Sequence, residues 1–239
     1  MKEEKKGTKH GQKITVTKDG PYLLSGSIPL VKEIIISDTE RTPLRWERGM
    51  QLPARETSYL CRCGHSRNKP FCDGAHVKES FDGTETATHE PHLGQAETTA
   101  GPGLVLSDNE SLCAVARFCH RAGDAWTLTE KSQDPSSKKT AIEEACDCPS
   151  GRLIARDPKT GEPFEPKFTP SIGIVEDPAN KVSGPLWVKG GIPLQGADGK
   201  IYEVRNRATL CRCGQSKNKP FCDGAHVSAR FKDGDPSVE

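Results

Sequence analysis

Two stretches of this chain are nearly the same. Cys61-Arg-Cys-Gly-His-Ser-Arg-Asn-Lys-Pro-Phe-Cys-Asp-Gly-Ala-His76 and Cys211-Arg-Cys-Gly-Gln-Ser-Lys-Asn-Lys-Pro-Phe-Cys-Asp-Gly-Ala-His226 differ only at His65/Gln215 and Arg67/Lys217. Each sets three thiols and one imidazole at the spacing C-x-C-x8-C-x3-H. That is the donor set of a metal or iron-sulfur site, and its recurrence in one order and one spacing has no explanation as core packing.

The repeat extends upstream. Gly20-Pro-Tyr-Leu-Leu-Ser-Gly-Ser-Ile-Pro-Leu30 returns as Gly184-Pro-Leu-Trp-Val-Lys-Gly-Gly-Ile-Pro-Leu194, so the duplicated unit is a whole module. In each copy a short apolar strand ends at Ile-Pro-Leu, and a second strand leads into the cysteines, over 57–60 in one and 202–210 in the other. The first copy carries a longer insert, Val31 to Pro53. After the third cysteine, Asp73 or Asp223 is expected to cap a short helix whose first turn holds His76 or His226. Val77 with Phe81, and Val227 with Phe231, are spaced to seat that turn on the strands.

Hydrophobic residues are 33% and aromatics 5% of 239 residues, too lean for one continuous core. The expected class is therefore α+β, in small β-rich modules stabilised by metal. The boundaries read as a basic flexible tail (1–19), a first module (20–83), a linker (84–102), a middle module (103–156), a Pro-rich linker (157–170) and a second module (171–239). The net charge of +1 gives no ground for nucleic acid or an anionic membrane surface as partner. No apolar leader and no stretch near the roughly 18 apolar residues of a membrane span are present, which leads to the expectation of a cytoplasmic protein. In a reducing compartment ten cysteines point to metal or clusters and away from disulfides.

Within a block, the close Cys61-x-Cys63 pair suits one iron and Cys72 with His76 a second; Cys211, Cys213, Cys222 and His226 repeat that division. Replacing one of four thiolates by neutral imidazole removes one negative charge and makes an electron easier to accept. Gly64 and Gly214 let backbone N–H groups approach the core, and Ser66 and Ser216 either donate to a sulfur or cap the turn. A structural Cys3His zinc site uses the same donors, although its usual C-x2-4-C spacing is not the C-x-C found here.

The pattern C-x-C-x2-S-x3-P-x-C-D-G-A-H resembles the CDGSH iron-sulfur domain family, with Ala75 and Ala225 at the variable fourth position of the name. The resemblance implies one [2Fe-2S] cluster per block, on Cys61, Cys63, Cys72 and His76 and on Cys211, Cys213, Cys222 and His226. It also implies a β-cap and a cluster-binding layer, which relatives build as a homodimer. The duplication predicts that one chain supplies both halves as a pseudo-dimer and remains a monomer.

Four further cysteines lie between the copies. Cys113-x5-Cys119 followed by Cys148-Pro149 is similar to single-cluster ferredoxins and to the divergent [4Fe-4S] mono-cluster domain. Three thiolates suit a [3Fe-4S] core, while Cys146 would complete a [4Fe-4S] site; the competing reading is a vestigial ferredoxin-like module with four incidental thiols. A strand from Gly103 opens this module, and a helix from Thr140, with Thr140 to Glu143 as a capping box, leads into Cys146.

These readings converge on a non-enzymatic iron-sulfur protein that transfers electrons or clusters to a redox or cluster-acceptor protein. The alternatives are a cluster relay within a redox enzyme and a zinc-stabilised interaction module. No G-x-G-x-x-G after a strand and no phosphate loop seats an organic cofactor.

Overall fold

The computed structural model describes residues 11–239. The first copy comprises β1 (Lys13–Val16), β2 (Tyr22–Ser25), β3 (Leu30–Ser37), β4 (Pro43–Leu52), β5 (Thr57–Leu60) and a one-turn helix α1 (Ala75–Lys78). The middle segment contributes β6 (Glu97–Ala100), β7 (Val105–Asp108), α2 (Ala125–Glu130), α3 (Pro135–Asp147) and β8 (Leu153–Arg156). The second copy has β9 (Ser171–Asp177), β10 (Val182–Lys189), β11 (Leu194–Gln195), β12 (Arg207–Leu210) and α4 (Ala225–Ser228). This is the mixed α+β, strand-rich architecture expected from the sequence.

The two copies exchange strands. One sheet runs β11-β1-β2-β5 and another β12-β10-β9-β3-β4, so each antiparallel core of one copy is extended by a parallel strand from the other. The exchange follows the Ile-Pro-Leu segment in both. Leu30 pairs with Ile172 and Leu194 with Ile14, and the carbonyls of Pro29 and Pro193 accept from Ile172 and Ile14, each at 2.9 Å. Proline lacks an N–H and restricts its own φ, so it turns the chain out of one sheet and starts it along the other. The result is an approximate twofold between repeats and one shared core, with Ile14, Tyr22 and Leu24 beside Ile172, Leu186 and Val188.

The insert of the first copy forms the far end of β3 and the edge strand β4. Its outward Arg45, Glu47 and Arg48 blunt that edge against further pairing. Its inward Trp46 packs on Phe118 and Trp187 and donates to the Asp147 carbonyl at 3.0 Å, tying the insert to the middle segment.

Several expectations need correction. Residues 1–10 of the expected tail lie outside the described residues, but Lys13–Val16 is a strand whose Ile14 and Val16 are buried, because β11 supplies a neighbour no local pattern announces. The 84–102 linker contains β6, which pairs with β7. Helix α3 begins at Pro135, not Thr140: Asp134 accepts from the Ser137 N–H at 2.8 Å with proline at the first helical position, a stronger start signal than the capping box downstream. The strand expected over 202–210 is confined to 207–210. Among the described residues no helix is long and apolar enough to cross a membrane.

The middle segment is clamped to the second copy by Arg207. Its buried guanidinium donates to the carbonyls of Ala145 (2.7 Å), Cys146 (3.0 Å) and Cys148 (2.7 Å) and pairs with Glu165 at 2.5 Å. Those carbonyls stand at the C-terminal end of α3, where the helix itself supplies few partners: the Cys148 N–H reaches Ala145 and the Gly151 N–H reaches Cys148, each at 3.3 Å. The first copy has Thr57 at the equivalent position and no such clamp.

Candidate metal centres

Each duplicated block folds alike. β5 or β12 delivers the first cysteine, a tight turn through Gly64 or Gly214 (φ 83° and 80°) delivers the second, and the third precedes the one-turn helix that carries the histidine. The donors fall into two pairs. Cys61 and Cys63 sulfurs are 3.7 Å apart and Cys72 Sγ is 3.4 Å from His76 Nδ1; in the second block the same distances are 3.8 and 3.5 Å.

Backbone N–H groups point at the sulfurs. His65 and Gln215 donate to Cys63 and Cys213 at 3.5 Å, and Gly74 and Gly224 donate to Cys72 and Cys222 at 3.4 Å. The Cys63 thiol, with backbone N–H groups of Ser66 and Gly64, pulls the Cys61 thiol down to about 5; Cys213 likewise holds Cys211 down to about 7. Cys63 and Cys213 move up in return, so each pair readily holds one thiolate and gives up a second proton only to a cation. Burial raises Cys72 and Cys222.

The serines do not reach the sulfurs with their hydroxyls. Ser66 and Ser216 Oγ donate to the Phe71 and Phe221 carbonyls at 2.6 and 2.7 Å and accept from Asn68 and Asn218, the turn-capping role. Neither Asp73 nor Asp223 is the helix cap. Gly74 and Gly224 occupy that position in a left-handed conformation, and each Asp bridges Ala75 or Ala225 and residue 67 or 217 one step earlier. Val77 does not seat its helix either, being 73% exposed, whereas Phe81 lies under the Arg62 guanidinium.

The two centres meet back to back. A Cβ on Gly64 would lie 2.5 Å from the Cys213 carbonyl oxygen, and one on Gly214 2.5 Å from that of Cys63. They nonetheless differ in cover. Nothing lies within 4 Å of the Cβ position of Gly74, but that of Gly224 meets Val115 at 2.4 Å and the Cys113 carbonyl at 3.1 Å. The middle segment therefore roofs the second centre only: His226 is 5% exposed and held down to about 4 by burial and then by Arg212.

A third constellation lies in that roof. Cys113, Cys119 and Cys148 line one cavity with Ala116 and Arg152. Burial, and after it the neighbouring Cys148 and Cys113, push Cys119 up to about 12, while Arg152 opposes them. The loop between Cys113 and Cys119 holds Val115 at φ 54° and Arg117 at φ 68°, both in the left-handed region, and for a β-branched valine that is a strained turn. Arg117 pins the loop to the second copy through Asp177 at 2.5 Å. Cys146, expected as a candidate fourth ligand, points elsewhere: its thiol donates to the Phe164 carbonyl at 3.3 Å, on the opposite side of the end of α3. His120, next to Cys119, lies tilted against Trp126, ring centroids 5.5 Å apart. The part missed by that reasoning is Arg152, whose guanidinium is held by Asp108 beside Cys113; a lone arginine after Cys-Pro-Ser-Gly carries no signal of its own.

Sulfur donors in pairs, backbone N–H groups on each sulfur and loops of close backbone approach fit iron-sulfur cores, and together they define an iron-sulfur protein with repeated centres. The family model described as iron-binding zinc finger, CDGSH type, matches residues 19–77 and 183–227, and that of the divergent 4Fe-4S mono-cluster matches 99–158. The chain thus carries two CDGSH-type segments flanking a divergent mono-cluster segment. No curated protein matches it, and no solved structure does.

Proposed function

We propose that the chain holds two [2Fe-2S] clusters, on Cys61, Cys63, Cys72 and His76 and on Cys211, Cys213, Cys222 and His226, with a third cluster on Cys113, Cys119 and Cys148. It acts as a carrier of electrons or clusters for a protein acceptor, without catalysis of its own. The observation that carries this reading over zinc is the pairing of donors. Among the described residues the only three or more such ligand atoms within 4.8 Å of one another belong to Glu176, Asp233 and Asp235, so the four donors of a block do not converge on one tetrahedral ion. The acidic trio itself is an ion-pair network, occupied by Arg212 and Lys32.

A bound [2Fe-2S] core supplies a one-electron acceptor. The chain's part is to hold it by two donor pairs, to place N–H groups against the sulfurs and, through neutral imidazole, to keep the charge one unit less negative than four thiolates would. In the middle segment three protein thiolates match a [3Fe-4S] core; a [4Fe-4S] core there leaves one iron without a protein thiolate.

Iron and acid-labile sulfide on anaerobically purified protein test the reading. About seven or eight iron per chain are expected, of which three or four disappear in Cys113→Ser with Cys119→Ser and none in Cys146→Ser. Stoichiometric zinc without visible absorption would refute the reading. Because each copy already receives the other's exchanged strand, the chain should also run as a monomer in light scattering. A dimer that survives dilution would show that the copies do not satisfy each other.

A further inference from the structure

Arg41, Lys181, Arg230 and Lys232 surround Val227, the residue after His226, in a solvent-open depression. All four cations are exposed. Among the described residues none has a carboxylate at ion-pair distance, whereas Lys32, Arg117, Lys189 and Arg207 are all paired.

Each of these cations comes from a place where the two copies differ. Arg41 tips the hairpin between β3 and β4, which only the first copy has; Lys181 ends the β9–β10 turn, where alignment of Gly184 with Gly20 places Thr17 in the first copy. Arg230 and Lys232 stand where the first copy has Ser80 and Asp82, just beyond the near-identical blocks. Three of the four occupy left-handed backbone, Arg41 at φ 67°, Lys181 at 53° and Arg230 at 49°. Such a conformation is disfavoured for an L-residue, and at the last of the three it is shared with Ser80 of the first copy, at φ 47°. The four cationic side chains gather around one apolar residue beside the second centre, an arrangement the first centre does not share.

We propose that this face is a docking surface for an acidic protein, the exchange partner of the second centre; the proposal rests on the carrier reading above. The middle segment covers Gly224 of that centre, and the cationic rim lies around Val227, the residue after its histidine, which makes it the approach. An apolar centre with a charged rim is the form of a small protein interface. The charges are local, on a chain of net charge +1, and do not form the extended basic stripe that a polynucleotide requires.

The test uses the full chain and a fluorescein-labelled decaglutamate peptide, read by anisotropy, with oligothymidylate and inorganic phosphate as competitors. Arg230→Ser with Lys232→Asp installs residues that the first copy already carries at those positions, so folding is not at stake. Peptide affinity should fall about tenfold or more in that variant and should weaken in the parent as salt is raised to ~0.15 M. Arg67→Ala, beside the first centre, should leave it unchanged. Equal affinity of parent and double variant would overturn the proposal, and so would displacement by oligothymidylate or phosphate at lower concentration than by unlabelled decaglutamate. Visible absorption recorded on the same samples reports the clusters separately, so failure of the carrier reading appears as absent iron-sulfur absorption whatever the peptide does.

Discussion

On acidification from neutral pH to about 5, visible absorption should decay in two phases, the first centre bleaching at least about tenfold faster than the second. Iron needs the neutral imidazole, so protons compete with it at each histidine. The difference lies in access and in burial. His76 is half-buried on a helix with nothing over Gly74, whereas His226 lies under the middle segment and is held down to about 4 from an ordinary ~6.5. A free His226 in the folded chain therefore stays mostly neutral at pH 5 and remains available to the metal. The same depression has a cost elsewhere. Between about 4 and ~6.5 the unfolded chain binds the proton that folded His226 refuses, so stability of the metal-free protein is full above ~6.5 and falls as pH drops through that window. Stopped-flow spectra of Cys211→Ser with Cys222→Ser, which leaves the first centre, and of Cys61→Ser with Cys72→Ser, which leaves the second, assign the phases. Equal rates in the two variants would show that burial of the ligand does not control acid loss. His76→Cys should slow the fast phase and lower that centre's potential, since it adds one negative charge.

Gly64→Ala should empty both CDGSH-type centres, and Gly214→Ala should do the same. An added methyl at Gly64 would sit 2.5 Å from the Cys213 carbonyl oxygen, with Cys213 itself one of the second centre's proposed ligands. The obstacle is backbone on both sides, so no side chain can swing away, and φ is 83°. The combined cost is about 2–5 kcal/mol, from left-handed strain and from overpacking. Gly74→Ala is the control: its φ is 87° but nothing lies within 4 Å, so only the roughly 1–2 kcal/mol of left-handed conformation applies and both centres should stay loaded. Iron content and thermal midpoint separate the cases. Loss of only the first cluster in Gly64→Ala would show that the two centres do not support each other across the approximate twofold.

Much of the site was legible because it is local. All four donors of a block fall within sixteen residues, joined by one tight turn and one helical turn, so spacing alone determines that Cys61 and Cys63 pair and that His76 faces Cys72. The duplication and the strand-rich class were legible for the same reason, since each is a property of segments and their order. The exchange of β3 and β11 between copies was not. Local alternation states which face of a strand is buried but not which chain segment lies beside it, and a strand as short as Lys13–Val16 is held by its neighbours more than by its own propensity.

The middle cysteines mark the same boundary. Cys113, Cys119 and Cys148 were grouped on sequence, but whether Cys146 joins them depends on how α3 ends, and Arg207, far along the chain, holds that end. By itself the sequence determined which donors this protein has and how they group within each block. Only the tertiary structure decided that the two blocks stand back to back, that Cys146 turns to Phe164, and that the roof covers one centre and leaves the other open. Those outcomes depend on non-local burial, where a few buried contacts such as Val115 against Gly224 outweigh any preference encoded in the segments they join.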